Sequence, residues 1–540
     1  MNGGIVGARP PLRDNISAAG ELLRFALRRE RFWLPWWLLG VGLLLAFQSV
    51  SSQRFYSSPV KLAQLRETMG SNAAAVAMGG PTRLLDTIGG EILFEIFAYL
   101  AIVVALLNMF LIGRHTRTDE EAGRAELVRS ARVGRRAPAV AALALAVLAD
   151  VAVALVVFAT AVGTGLPVGG SLLLGAAISG VGLTFAALTT VAAQVFENPR
   201  SVYGSVALAL AGAYVLRAVG DVGNGAAAWA SPLGWGQRTY PYVVDRWWPI
   251  LLFFAASAVL IAVAFALLEQ RDFGAGLMPY GSGRATASWA LGSPLGLAWR
   301  LQRGSLFGWG VGIFGLGAAY GSFADSIAEF IADNPDIAAF LPGGAAEAVD
   351  AYLALTIMMV ALLTSAYGIA SVLRARSEEI AGRAEPLLAA PISRSSWLAS
   401  HLTVALAGSA IILAAGGSGE GLAHAVQVGE PSQVLRMTGA ALGYLPAVWV
   451  IVAVAVLAVG WFPRIAVAVA WTAFAYCAVA LLFADSFDLP AWFDDAAPFE
   501  HIPQVPLETI AAAPMLALLG IAAAVSAVGF AGLRRRDLGS

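Results

Sequence analysis

Lysine and cysteine are almost missing from this sequence, and charge of either sign is scarce. The single cysteine, Cys477, sits in an apolar run, which excludes an intramolecular disulfide and any cysteine-based metal site. Lys61 is the only lysine. A phosphate-binding P-loop of the form G-x-x-x-x-G-K-S/T needs its lysine on the phosphates, so the chain carries no nucleotide site of that type. His401, His424 and His501 lack metal-ligand spacing. No nucleophile elbow or pair of catalytic carboxylates is evident. Charged residues make up 13% of the chain, where a soluble domain carries roughly a quarter. A net charge of −1 gives no bulk attraction to nucleic acid. Residues 1–31 lack the apolar core and small-residue cleavage site of a signal peptide, so the first spanning helix is expected to act as the insertion signal.

What the sequence has is apolar length. Hydrophobic residues are 59% of the total, and mean hydropathy is +0.74. Runs of about 20 apolar residues, enough for a helix to cross a ~30 Å hydrocarbon core, recur along the chain. The 58 glycines suit the close approach of membrane helices. The pattern predicts an all-α integral membrane protein with about twelve spans. They fall near 32–50, 92–113, 137–162, 170–195, 201–219 and 248–269, then near 304–322, 350–373, 396–416, 437–461, 465–484 and 510–533. Arginine placement orients them. With both termini inside, only Arg54, Lys61, Arg66, Arg83, Arg217, Arg238, Arg246 and Arg436 fall outside, which leaves 26 of the 34 basic residues inside. Trp33, Trp36, Trp37, Trp247 and Trp248 read as interfacial belt aromatics.

The two sets of six look alike. Arg117–Glu126 reads R-T-D-E-E-A-G-R-A-E, and Arg376–Glu385 reads R-S-E-E-I-A-G-R-A-E, at an offset of 259. Pro199-Arg200 answers Pro463-Arg464, and Arg271-Asp272-Phe273-Gly274 answers Arg536-Asp537-Leu538-Gly539. An even number of spans per half predicts two parallel six-helix repeats, with a cavity on the pseudo-two-fold axis between them. The expected organisation is an inner N-terminus with an amphipathic connecting helix (1–31), a first transmembrane half (32–275), an inner linker with a second connecting helix (276–303) and a second transmembrane half (304–540).

Chemistry concentrates in the twin inner loops. Glu120 and Arg124 stand at i, i+4 with the acid first, the favourable order for a helical ion pair, and Glu379 and Arg383 repeat it. Asp119 and Glu378 suit the start of a short helix. Such a charged helix, present twice, predicts a docking element for a soluble partner. Residues 16–31 form an amphipathic stretch expected along the inner leaflet, and 285–303 replay it more weakly. Asp150 lies in mid-span, where a charge either lines a pathway or bonds to a neighbouring helix. Glu91 and Glu95 open the second span and read as interfacial.

The loop form E-E-x-A-G-R-A-E followed by P-I/V-S-R resembles the ABC-2-type exporter permeases. Leu387–Arg394, L-L-A-A-P-I-S-R, is the closer copy, and Leu127–Arg135 has lost the proline. The resemblance covers both halves. It implies that these loops are coupling helices seated in a separate ATPase subunit. Asp119, Glu120, Arg124, Glu126, Glu378, Glu379, Arg383 and Glu385 would then carry the coupling. It also implies two ATPase copies, which use ATP and Mg while this chain binds no cofactor. The cargo would be hydrophobic or amphipathic compounds, as in actinobacterial exporters of polyketide antibiotics such as tetronasin. The outer segments 219–247 and 485–509 would be re-entrant hairpins. Two alternatives stay open. A major-facilitator transporter is weakly suggested by Arg132–Arg136, where Ala131 replaces that family's leading Asp and the second half has no copy. A polytopic membrane enzyme would need duplicated or spaced acids that the chain does not show.

Overall fold

A computed structural model describes residues 15–56, 58–272, 274–278, 286–332, 344–483, 490–505 and 511–536. Among them there is no β-strand, only an isolated bridge between Phe196 and Met278. Helix is the expected outcome, because in lipid a helix satisfies its own backbone. Among the described residues, eleven helices are long and apolar enough to cross a membrane. A shorter apolar helix, Ala466–Leu481, stands where the eleventh span was predicted. The chain is an all-α, multi-pass membrane protein. It divides into two compact units, Met1–Ser282 and Gly283–Ser540.

The first unit opens with α1 (Ala19–Glu30), whose Ala26 and Glu30 are buried. Helix α2 (Leu34–Phe55) follows, with Pro35 in its first turn, where a missing N–H costs nothing. Two shorter helices, Pro59–Ser71 and Ala73–Gly79, lead to α3 (Ile88–His115), whose first turn is capped by the Thr87 side chain. Then come α4 (Arg117–Glu121), α5 (Arg124–Arg129), α6 (Ala137–Gly163), α7 (Val168–Val195), α8 (Pro199–Val222) and α9 (Ile250–Gln270). Of the six long helices, α3 and α7 are the most buried, and α2 and α9 the least.

The second unit holds α10 (Pro294–Ala332), α11 (Gly344–Ile380), α12 (Ala384–Leu388), α13 (Arg394–Val428), α14 (Ser432–Gly443), α15 (Leu445–Trp461), α16 (Ala466–Phe483) and α17 (Ala512–Arg535). Three expectations change here. The connecting helix expected over 285–303 is not separate: α10 runs unbroken from Pro294 through the predicted span. The span expected at 396–416 extends to Val428, because the glycines at its end pack against α10 and α14 instead of terminating the helix. The span expected at 437–461 starts earlier, at Ser432, and its helix is interrupted for one residue at Tyr444, just before Pro446, whose ring removes a helical hydrogen bond.

The outer segment 219–247 folds back onto its unit. Ser231 Oγ donates to the Ala213 carbonyl at 2.6 Å, and Gln237 Nε2 to that of Gly79 at 2.6 Å. Arg217, counted on the outer side, is fully buried near the end of α8, where it donates to the Met78 carbonyl at 3.1 Å. Residues 485–489 and 506–509 of the second outer segment lie outside the described residues. So do Asp537, Leu538 and Gly539 of the repeated R-D-x-G landmark.

Candidate functional site

The twin loops hold short helices, each interrupted at its glycine. In the first unit α4 stops at Glu121, Gly123 takes φ +70°, and α5 starts afresh at Arg124. In the second unit the charged residues 376–379 are the last turn of α11, and Gly382 takes φ +69° before α12. Left-handed backbone ends a helix, and glycine adopts it without steric cost. The expected i, i+4 pairs Glu120–Arg124 and Glu379–Arg383 therefore do not form.

Instead each inner glutamate turns into its unit. Glu120 accepts from Arg117 at 2.7 Å and from Arg271, just past the end of α9, at 2.6 Å. Glu379 pairs with Arg376 at 3.0 Å and with Arg536, just past the end of α17, at 2.6 Å. The neighbouring acid takes the exposed loop arginine: Asp119 meets Arg124 at 3.2 Å, and Glu378 meets Arg383 at 3.7 Å. A third contact repeats as well. Arg135 donates to the Arg271 carbonyl at 2.6 Å, and Arg394 to the Arg536 carbonyl at 2.6 Å. Arg394 lies 259 residues after Arg135, the same offset as the loops. Glu126 and Glu385 lie exposed in the following helices, apart from these clusters.

The geometry ties each loop to distant helix ends. Arg117 is buried and also donates to the carbonyls of Ala193 in α7 and Ala275. Asp119 is held by Arg29 of α1 at 2.9 Å. A displacement of α4 must therefore carry α1, α7 and the end of α9 with it, because buried charge-assisted hydrogen bonds are costly to break. Beside each cluster is an amphipathic cleft. In the first unit it measures about 300 Å³ and is lined by Phe25, Leu127, Val128 and Pro138 next to Asp119 and Arg124. In the second it measures about 310 Å³, lined by Leu297, Pro386, Leu387 and Trp397 next to Glu378 and Arg383.

Glu30 anchors α1. It meets Arg114 at 3.2 Å and His115 at 2.9 Å. Burial alone would raise its carboxyl, but the His115 hydrogen bond and the charges of Arg114, His115 and Arg29 outweigh this and hold it below the ordinary 4.5. A depressed carboxyl contributes stability that is full above its unfolded value and lost as pH falls through the folded one. As pH falls below the ordinary carboxylate range, heat resistance of the wild type should fall more steeply than that of Glu30→Gln, measured on the purified protein. Parallel profiles would remove this role from Glu30.

Within the spans, Asp150 is buried in α6, and its Oδ1 accepts from Asn108 of α3 at 2.8 Å. It also borders a small apolar cavity. Glu91 stands in the first turn of α3. It is fully buried and accepts from the Ser52 hydroxyl at 3.3 Å, because the turn Thr82–Asp86 packs over the start of α3. Glu95, one turn on, is hydrogen-bonded by Gln48. Sequence reasoning missed Glu420, which is fully buried in α13 and accepts from the Thr356 hydroxyl at 2.6 Å. It sits in a glycine-rich run, Gly416 to Gly421, that reads as the end of a span. The roles of Arg117, Arg376, Arg271 and Arg536 were also missed, although all four stand in repeated motifs.

A family profile described as "Multidrug efflux system permease Rv1217c, C-terminal domain" matches residues 291–534. The chain is 37% identical over 537 residues to the "Multidrug efflux system permease protein Rv1217c" of Mycobacterium tuberculosis (strain ATCC 25618 / H37Rv). That similarity covers 98% of this chain and 97% of the relative.

Proposed function

Because the chain belongs to the multidrug efflux system permeases, we propose that it is the transmembrane subunit of an ABC-type multidrug exporter in the cell membrane. It is a transporter component and not a catalytic enzyme. The motor is a separate ATPase, which uses ATP and Mg, and one copy of this chain engages two of its subunits. With both termini inside, the loops at 117–126 and 376–385 face that partner, and the clefts beside them receive it.

The observation that carries this reading is the duplicated wiring of the loops. Glu120–Arg271 and Glu379–Arg536 join each loop to the last long helix of its unit by the same contact. In Asp119–Arg124 and Glu378–Arg383 the acids are largely buried and the two arginines are more than half exposed. Buried pairs suit force transmission, and exposed arginines suit docking. Arg124 and Arg383 thus bind the ATPase, and Glu120 and Glu379 pass its motion on. Cargo is hydrophobic or amphipathic compounds taken from the membrane.

The test is reconstitution into vesicles with the partner ATPase. The chain alone should hydrolyse no ATP. Drug efflux should persist when the proton gradient is collapsed and stop when ATP is withdrawn. Efflux that follows the gradient and ignores ATP would favour a secondary transporter. Arg124→Ala/Arg383→Ala should leave the protein stable but lower efflux at least tenfold, and full efflux from that variant would sink the docking assignment.

A further inference from the structure

Basic residues are scarce on the face that is outer when both termini lie inside, yet three arginines there converge on one side chain. The Arg83 and Arg246 guanidiniums lie over the ring of Tyr240, at 5.6 and 5.4 Å from its centroid. Arg238 donates to the Tyr240 hydroxyl at 3.4 Å. Arg238 has a carboxylate of its own, Asp221 at 3.0 Å. The other acids close in sequence are engaged elsewhere: Asp86 pairs with Arg66 at 2.6 Å, and Asp245 accepts from the Tyr242 backbone N–H at 2.8 Å. Arg83 is exposed, Arg246 is half-buried, and neither has an ion-pair partner among the described residues. Like charges gathered at one ring repel each other, and an anion beside them removes that cost.

The segment that carries Tyr240 and Arg246 is strained and pinned. Tyr240, Tyr242 and Asp245 take φ +46°, +64° and +49°, left-handed backbone that costs a residue with a side chain. Thr87 Oγ1 donates to the Tyr242 carbonyl at 3.2 Å, and Tyr242 Oη to Ser171 Oγ at 3.1 Å. The Arg246 backbone N–H donates to the Thr239 carbonyl at 2.7 Å. Strain persists only where its surroundings over-determine it, and it gathers at ligand clamps.

Depth identifies the ligand. Arg83 stands in the turn Thr82–Asp86 that leads into α3, and Arg246 just ahead of α9, so both guanidiniums mark the ends of spans that enter the membrane from this face. Trp247 and Trp248, between Arg246 and α9, are about half exposed. Tryptophan at a span end sits at headgroup level. The anion at that level is the phosphate of a phospholipid, which guanidinium binds by charge-assisted hydrogen bonds. A zwitterionic lipid brings its own ammonium to that phosphate. An anionic lipid leaves the charge for the protein.

We propose that Arg83 and Arg246, gathered at Tyr240, bind the headgroup phosphate of an anionic phospholipid in the outer leaflet. The site belongs to the first unit: at the repeat spacings the second unit carries Pro342 for Arg83 and Ala511 for Arg246. It does not depend on the exporter reading.

The test uses the purified full-length chain in phosphatidylcholine nanodiscs. Val244, exposed beside Asp245, is changed (Val244→Cys) and labelled with bimane, while the buried Cys477 stays unlabelled. The quenchers are phosphatidylglycerol and phosphatidylcholine carrying the same acyl chain, spin-labelled near the headgroup. An arginine at a membrane surface favours anionic lipid by about fivefold. At equal mole fraction, phosphatidylglycerol should therefore associate with the labelled site at least fivefold more strongly than phosphatidylcholine. Arg83→Gln/Arg246→Gln should abolish that preference and leave quenching by phosphatidylcholine unchanged. Arg24→Gln/Arg28→Gln, on α1 at the inner face, should keep it. Equal quenching by the two lipids without the arginine substitutions, or a preference kept in folded Arg83→Gln/Arg246→Gln, overturns the proposal. If that double variant fails to fold, an undiminished preference in Arg83→Glu, at an exposed position, overturns it. Glycerol phosphate in solution should leave the phosphatidylglycerol quenching intact. Relief of quenching by it would assign the site to a soluble phosphate and overturn the lipid assignment.

Discussion

Glu379→Ala should cost the protein most of its stability margin, and Glu120→Ala somewhat less. Glu379 meets Arg536 and Arg376, and those two side chains are about 11% and 10% exposed. Removing it takes a close counter-charge away from two nearly buried guanidiniums. Breaking a buried pair in this way costs ~3–5 kcal/mol, because the surviving charge keeps its desolvation penalty. Glu120 is more exposed, 15% against 2% for Glu379, so water compensates part of its loss. The loop arginines give the contrast. Arg383 lies 3.7 Å from Glu378 and is 57% exposed, a pair worth at most ~1 kcal/mol. The expected order of half-lives at elevated temperature in detergent is wild type ≈ Arg383→Ala > Glu120→Ala > Glu379→Ala. Whatever Glu120→Ala protein survives should hydrolyse ATP with its partner while exporting little. Wild-type half-life and full coupling in Glu379→Ala would refute the force-path assignment.

Gly321→Leu should yield almost no folded protein. A Cβ at Gly321 would sit 2.1 Å from the Glu420 carbonyl oxygen, and one at Gly317 would sit 2.2 Å from that of Gly416. From the facing helix, a Cβ at Gly419 would sit 2.2 Å from the Phe314 carbonyl oxygen. These neighbours are backbone atoms, so no rotamer change relieves the clash. The helices α10 and α13 would have to separate along the seam that buries Glu420. Overpacking a well-packed core typically costs ~1–3 kcal/mol, and a backbone clash at a small-residue helix interface lies at or beyond the top of that range. Gly315→Leu is the internal control: it is on the same helix, and no atom lies within 4 Å of where its Cβ would be. Size-exclusion profiles of detergent extracts decide it. A monodisperse peak for Gly321→Leu as large as that for Gly315→Leu would refute the seam.

The loops show where local reading stops. The composition R-x-D/E-E-x-A-G-R-A-E marked both of them without any structure. The i, i+4 rule then paired Glu120 with Arg124, and this failed because Gly123 reverses the backbone between them. The partner that replaced Arg124 was Arg271, 151 residues away. Sequence spacing carries no signal at that range, although the repeat itself hinted at it by preserving Arg271 and Arg536. Glu420 was lost for a related reason. A run of glycines looks like a helix end until another helix packs against it, and here α10 uses those glycines as its bed.

The sequence by itself determined that the chain lives in a membrane, that it is helical, roughly where the spans lie, and that two loops share one charged motif. These are local properties: hydropathy over about 20 residues decides the solvent, and in lipid the helix closes its own hydrogen bonds. Tertiary structure alone decided which acid meets which arginine, that Glu91, Arg217 and Glu420 are buried, and that Asp150 has Asn108 on one oxygen and a cavity beside it. Those outcomes depend on which helix faces pack together, and that is set by side-chain shape across long sequence separations, where the apolar pattern is nearly uniform.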